Sequence, residues 1–183
     1  MKGSLMSRGV AEPYAQALMS LAQSRGLTAE IGDEMRALSQ LLEESAELRD
    51  FISNPVIEAA DKKAVLRRIA GERASEMLVN FLMLLVDKRR LLFLSAIAEQ
   101  YLVLLRARNE IVLAEVASAQ ALSEDQAREI ASRVRSMTDA RDVELKTSVD
   151  ASLLGGAVIK IGSQVLDLSL RGQLRRIGIS LAG

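Results

Sequence analysis

Apolar residues recur at three- and four-residue intervals through the first half of the chain, the period of helices with one buried face. Tyr14, Ala17, Leu18, Leu21 and Ala22 share such a face and predict a helix from about Val10 to Arg25. Pro13 falls in its first turn, where a missing N–H costs nothing, and Gly26 ends it. Thr28 can cap a second helix, with Ile31, Met35, Leu38, Leu41 and Leu42 on one side and Glu34, Arg36, Glu43 and Glu44 on the other. A short third helix, about Ala46 to Ser53, stops at Asn54-Pro55, because proline disfavours a helical residue before it. A fourth, about Ala60 to Ala70, turns Val65, Leu66 and Ile69 inward and Lys62, Lys63, Arg67 and Arg68 outward.

From Ser75 to Arg106 the chain is apolar on nearly every side. A membrane hairpin would suit that composition, but Asp87-Lys88-Arg89-Arg90 splits the stretch and leaves a first half too short to cross about 30 Å of hydrocarbon. The second half carries Glu99 and Gln100. Two buried helices at the centre of a bundle are the better reading, with the four charged residues at the turn between them.

At Asn109 the period changes. Ile111 to Ala119 predicts a strand rich in Val and Ile. Ser123, with Gln126 three residues on, has the pattern of a capping box and opens a helix whose stripe is Ile130, Val134 and Met137. Val143, Leu145, Thr147 and Val149 alternate with Glu144, Lys146 and Ser148, as in a half-buried strand. After Gly155-Gly156, a run from Ala157 to Ile161 meets Gly162-Ser163 and returns over Val165 to Leu168, a hairpin pattern. Ser169 then opens a final helix. The expected fold is α+β and mainly α: an N-terminal six-helix bundle over residues 8–107, then a small domain of about four strands and two helices over 108–183.

Composition narrows the function. The chain of 183 residues has 24 basic and 24 acidic side chains, so it lacks the cationic excess that displaces counterions from nucleic acid. It has no Cys and no His, which removes thiolate chemistry, His-based triads and the commonest metal ligands. Three Phe, two Tyr and no Trp make a poor platform for stacking bases. The first residues contain no long apolar core before a small-residue cleavage site, so no signal peptide is expected. A protein without chemistry of its own is the natural starting point.

Four features remain to be assigned. Gly155-Gly156 leads into a strand rather than a helix and lacks the Lys-Ser/Thr of a phosphate loop, so it reads as a tight turn with close backbone approach. Asp150 and Asp167 could pair for acid–base work, as in a small carboxylate-dependent hydrolase, but both fall at strand ends, where Asp commonly accepts backbone hydrogen bonds. Arg171, Arg175 and Arg176 lie on one side of the last helix, either as a solvated face or as a docking face for an acidic partner helix. Tyr14, Ala15, Ala17 and Leu18 sit where small residues lower the helix surface, either as core packing or as a shallow groove for an amphipathic helix.

EPYAQALMSLA from Glu12, SNPVI from Ser53, NFLMLLVDKRRL from Asn80 and the run from Val143 through Asp150, Gly155-Gly156 and Lys160 to Arg176 resemble the δ subunit of F-type ATP synthases, relative of the oligomycin-sensitivity-conferring protein. The resemblance covers nearly the whole chain and is most similar to the cyanobacterial and chloroplast branch. It implies a stator component without catalytic residues, cofactor or metal. The N-terminal domain would bind N-terminal helices of α subunits in the catalytic head, with Tyr14, Ala17, Leu18, Leu21, Met83 and Val86 as its contact residues. The C-terminal domain would bind b-type subunits of the peripheral stalk through Arg171, Leu174, Arg175 and Arg176. Membrane association would be indirect, on the cytoplasmic or stromal face of an energy-transducing membrane such as the thylakoid, with no nucleic acid involved. A generic helical adaptor would share this binding chemistry and differ only in its partners.

Overall fold

The structure, a computed structural model, describes residues 2–71, 74–138 and 140–174. The fold is α+β and mostly helical. The chain divides into two compact units after Leu105.

The N-terminal unit contains α1 (Lys2–Ser24), α2 (Thr28–Glu44), α3 (Ala46–Ser53), α4 (Ala59–Ala70), α5 (Glu76–Asp87), a 3₁₀ turn (Leu91–Phe93) and most of α6 (Leu94–Arg108). One core joins them, built around Leu18, Ile31, Met35, Leu66, Leu82, Leu85, Leu94 and Ile97. Each of these side chains contributes roughly 1.5–3 kcal/mol by leaving water. α5 and α6 are core helices, and no helix among the described residues is long and apolar enough to cross a membrane. The Asp87-Lys88-Arg89-Arg90 turn is exposed throughout.

Three local expectations change. Ile69, expected inward on α4, is 37% exposed. α1 begins at Lys2, so Pro13 lies inside the helix rather than in its first turn. The proline signal is positional only when the helix start is known; mid-helix, a proline removes one hydrogen bond and its ring crowds the carbonyl four residues back, a cost that α1 carries here. Thr28 is the first residue of α2 and makes no side-chain cap; Leu27 precedes it. Ser45 and Ser75 do cap, accepting from the Leu48 and Leu78 N–H groups at 3.1 and 3.2 Å. The Thr28 carbonyl instead accepts the Tyr101 hydroxyl at 3.1 Å.

Tyr101 is fully buried, and burial, with a smaller contribution from the Glu34 charge, pushes its phenol up to about 12. The folded state therefore holds that proton more tightly than the unfolded chain. Its stabilisation is present below the ordinary pKa near 10 and is lost as pH rises towards 12. Tyr101→Phe should cost about 1 kcal/mol at neutral pH by deleting the hydrogen bond, and should remove that alkaline component. Urea melts at pH 8 and pH 11 on both proteins check this; identical losses at pH 11 would refute it.

The C-terminal unit is a four-stranded sheet in the order β2-β1-β3-β4, with β1 (Ile111–Ser118), β2 (Asp142–Val149), β3 (Ala157–Ile161) and β4 (Gln164–Asp167). β1 and β2 are parallel and joined through α7 (Glu124–Thr138), whereas β1–β3 and β3–β4 are antiparallel. Val134 of α7 packs on Ala114, Val116 and Ile159, which share one face of the sheet. The capping box forms completely: the Gln126 N–H donates to Ser123 Oγ at 3.2 Å and the Ser123 N–H to Gln126 Oε1 at 3.0 Å. Gly162, at φ 57°, turns β3 into β4 over two residues. A short 3₁₀ turn (Ala151–Leu153) links β2 to Gly155-Gly156, and residues 170–174 are helical.

Candidate functional site

In the N-terminal unit, α1 and α5 line a shallow groove of about 290 Å³. Pro13, Tyr14, Ala17, Leu18 and Leu21 form one side of it, and Phe81 and Leu84 the other. Leu18 is buried and forms the floor, while Leu21 and Leu84 are both 44% exposed at the rim. Ala17 is exposed and its single methyl keeps the helix surface low between the larger side chains. The groove is almost free of polar atoms, so it can hold an apolar helix stripe and offers little to a charged or sugar-like ligand.

Tyr14, Ala17, Leu18 and Leu21 thus come together in the groove. Met83 and Val86 do not reach it: they are 9% and 4% exposed and belong to the core. Phe81 and Leu84 stand in their place. The phase of α5 could not be read from apolar periodicity because MLVNFLMLLV has an apolar residue in almost every direction. A weaker signal was available. Asn80 and Asp87 are seven residues apart and both exposed, which marks the outer stripe, and Leu84 lies on it between them.

At the end of the C-terminal unit, Arg171 and Leu174 are exposed, whereas Arg175 and Arg176 lie outside the described residues. Arg171 is tethered within its own unit: one guanidinium nitrogen donates to Ser152 Oγ at 3.3 Å. The Ser152 N–H donates to Asp150 Oδ1 at 2.9 Å. Hydrogen bonds from the Ser152 side chain and backbone, with a lesser effect of the Arg171 charge, hold the Asp150 carboxyl below its ordinary range. Asp167 accepts from the Ser169 N–H at 3.0 Å and the Ser169 hydroxyl at 2.6 Å. Ser169 Oγ in turn accepts from the Gly172 N–H at 3.0 Å, which starts the last helix.

Both carboxylates therefore fix turns. Asp150, exposed and held in its ionised form, is unsuited to act as a general acid, and Asp167 is engaged by Ser169, so the hydrolase reading loses its chemical basis. Gly155-Gly156 is a close-packing site. Gly156 has φ 73°, and a Cβ there would run into the Leu168 carbonyl oxygen. A Cβ on Gly155 would stand 2.6 Å from Leu170 Cδ1.

A small α+β protein with an apolar groove on one unit and exposed leucines on the other is a protein that binds other polypeptides. Residues 10–181 match the family described as ATP synthase delta (OSCP) subunit, and the chain belongs to that family. It is 59% identical to ATP synthase subunit delta of Crocosphaera subtropica over 183 residues, which is 100% of this chain and 99% of the relative. It is 56% identical to the subunit of the same name from Synechocystis over 181 residues, 99% and 98% of the two chains. Its fold matches a chain in the mitochondrial ATP synthase hexamer of Toxoplasma gondii with a TM-score of 0.71 at 22% identity, covering 94% and 97% of the two chains. The chain is accordingly a non-catalytic stator component of ATP synthase, peripheral to a thylakoid-type membrane complex.

Proposed function

We propose that this stator subunit works as a clamp with one helix-binding surface on each unit. The N-terminal part, residues 8–107, acts as a six-helix bundle that holds an amphipathic N-terminal helix of an α subunit in the groove between α1 and α5. Tyr14, Ala17, Leu18, Leu21, Phe81 and Leu84 provide the seat. The C-terminal part, residues 108–183, holds b-type subunits of the peripheral stalk through the last helix, with Arg171 and Leu174 at its described end. The observation that carries this reading is the groove itself: a low, nearly unbroken apolar surface between two helices, framed by exposed Leu21 and Leu84.

The mechanical consequence is direct. A head joined to the stalk through this subunit cannot turn with the rotor, so proton-driven rotation is converted into ATP synthesis. A helix that buries a few Leu- or Ile-sized side chains at each surface gains roughly 1.5–3 kcal/mol from each, enough to offset the cost of association.

Membranes carrying the stalk, stripped of the catalytic head and of this subunit, provide the test. Adding back head and purified protein together should restore proton-coupled ATP synthesis, and head alone should not. Recovery without the protein would defeat the reading. For the second surface, changing Arg171, Arg175 and Arg176 together to Glu should weaken binding of soluble stalk subunits by at least about tenfold at low salt. Unchanged affinity would reduce these three residues to a solvated face.

A further inference from the structure

The two outer strands of the C-terminal sheet differ. β4 is four residues long and gives way to helical backbone at Leu170. β2 is eight residues long, contains neither proline nor glycine, and pairs with β1 without a bulge from Asp142 to Val149. A long, regular edge strand is the kind that accepts another strand, and natural proteins shorten, bulge or charge such edges to prevent it. On β2 only charge is available for that purpose, at Asp142, Glu144 and Lys146. Asp142 is already tied to Arg135 of α7 at 2.7 Å.

The backbone groups of β2 are sorted between its two sides. The Asp142 N–H donates to the Glu110 carbonyl at 3.5 Å and the Asp150 N–H to the Ser118 carbonyl at 2.8 Å. Residues at even positions therefore face β1, and Val143, Leu145, Thr147 and Val149 turn their backbone groups outward. The Val143 N–H is met by the Asp142 carboxylate at 2.8 Å. The outer side of β2 has no partner strand among the described residues. Thr147, Ser148 and Val149 are exposed, Val149 by 63%.

The charges select what can pair there. Leu145 packs on the α7 side of the sheet, so Glu144 and Lys146 flank it on the opposite face. Both are held in place: Arg106 donates to Glu144 at 3.3 Å, and Lys146 stands opposite Glu115 of β1. In an antiparallel pair, the complement of Glu-x-Lys is again Glu-x-Lys, so β2 is its own complement. Centred on Leu145, the pair sets Glu144 of each chain against Lys146 of the other and Val143 against Thr147. Centring it one residue away sets Glu144 against Glu144 or Lys146 against Lys146, which is unfavourable.

We propose that the free subunit pairs with a second copy of itself along β2, antiparallel and centred on Leu145, to form one continuous sheet across both copies. This contact uses neither the α1–α5 groove nor the last helix and stands independently of the clamp.

Sedimentation equilibrium of the full-length protein at low salt tests it. The wild type should pass from monomer to dimer between about 10 μM and 1 mM. Lys146→Glu and Glu144→Lys, each alone, should self-associate at least about tenfold more weakly, because each sets like charges opposite one another. Mixed in equal amounts, the two variants should form a heterodimer, since the two cations of one then face the two carboxylates of the other. Thermal melts establish that both variants are folded. The chain has no cysteine, so a spin label on Ser148→Cys in an otherwise unchanged chain stands alone. Its distance to the label of the second copy should be roughly 20–30 Å, three residues beyond Leu145 on either side. A wild type that is still monomeric at about 1 mM would overturn the proposal. So would a Lys146→Glu variant that dimerises like the wild type, or two folded variants whose mixture stays monomeric. Labels more than about 50 Å apart in a dimer would place the contact on another surface and refute it equally.

Discussion

Gly156→Val is expected to unfold the C-terminal unit and leave the N-terminal unit folded. Gly156 has φ 73°, a conformation in which a β-branched residue is an outlier. The added side chain would also meet the Leu168 carbonyl oxygen and come within 3.1 Å of Ser169 Cα. Neither obstacle can step aside: the Leu168 N–H is bonded to the Ala157 carbonyl and the Leu170 N–H to the Gly155 carbonyl, both at 3.0 Å. Left-handed strain and backbone overlap together should cost about 3–5 kcal/mol. That is a large share of the roughly 4–12 kcal/mol expected for a unit of this size. The aromatic residues provide a clean readout, because both tyrosines and all three phenylalanines, at positions 14, 101, 51, 81 and 93, precede Leu105. Tyrosine emission should report an unchanged melt while far-UV dichroism shows an early transition. A dichroism melt that matches the wild type would mean that the turn can relax, contrary to this account.

Ala17→Trp is expected to leave stability within about 0.5 kcal/mol of wild type, because Ala17 is exposed. It should nevertheless reduce binding of an α-subunit N-terminal peptide by about 100-fold or more, equivalent to losing one or two apolar anchors. The indole would occupy much of a groove of about 290 Å³ and cover Leu18 at its floor. The chain has no native tryptophan, so the new side chain reports its own surroundings. Its emission should be shifted to the blue, as for an indole packed on Tyr14, Leu21 and Leu84. Fluorescence anisotropy of a labelled peptide measures the loss of binding; wild-type affinity in the variant would move the peptide to another surface. Together the two substitutions separate the two ends: Gly156→Val should spare the peptide, and Ala17→Trp should spare the stalk.

Legibility in the sequence differs between the two ends for physical reasons. On α1 the groove residues Tyr14, Ala17, Leu18 and Leu21 follow helical spacing, and small Ala17 among larger residues already suggests a lowered surface. On α5 the family resemblance implied Met83 and Val86, which belong to the core and do not line the groove. A helix that is apolar all round has no polar face to fix its rotation, so only its neighbours decide which side remains open. In the C-terminal unit, the capping box at Ser123, the hairpin at Gly162 and the turn role of Asp167 are local, and each could be read from residues within three positions of one another. Leu154 could not be. Its place between Leu153 and Gly155-Gly156 suggests an ordinary buried leucine, and only the path of the turn exposes it.

The sequence by itself determined the order of elements, the absence of histidine and cysteine chemistry, and the family, because each depends on residue type and short-range spacing. The tertiary structure alone decided which side chains stay uncovered: Leu84 on α5, and Leu154 in the turn before Gly155. A side chain's exposure depends on which segments far along the chain happen to cover it, and no local pattern records that.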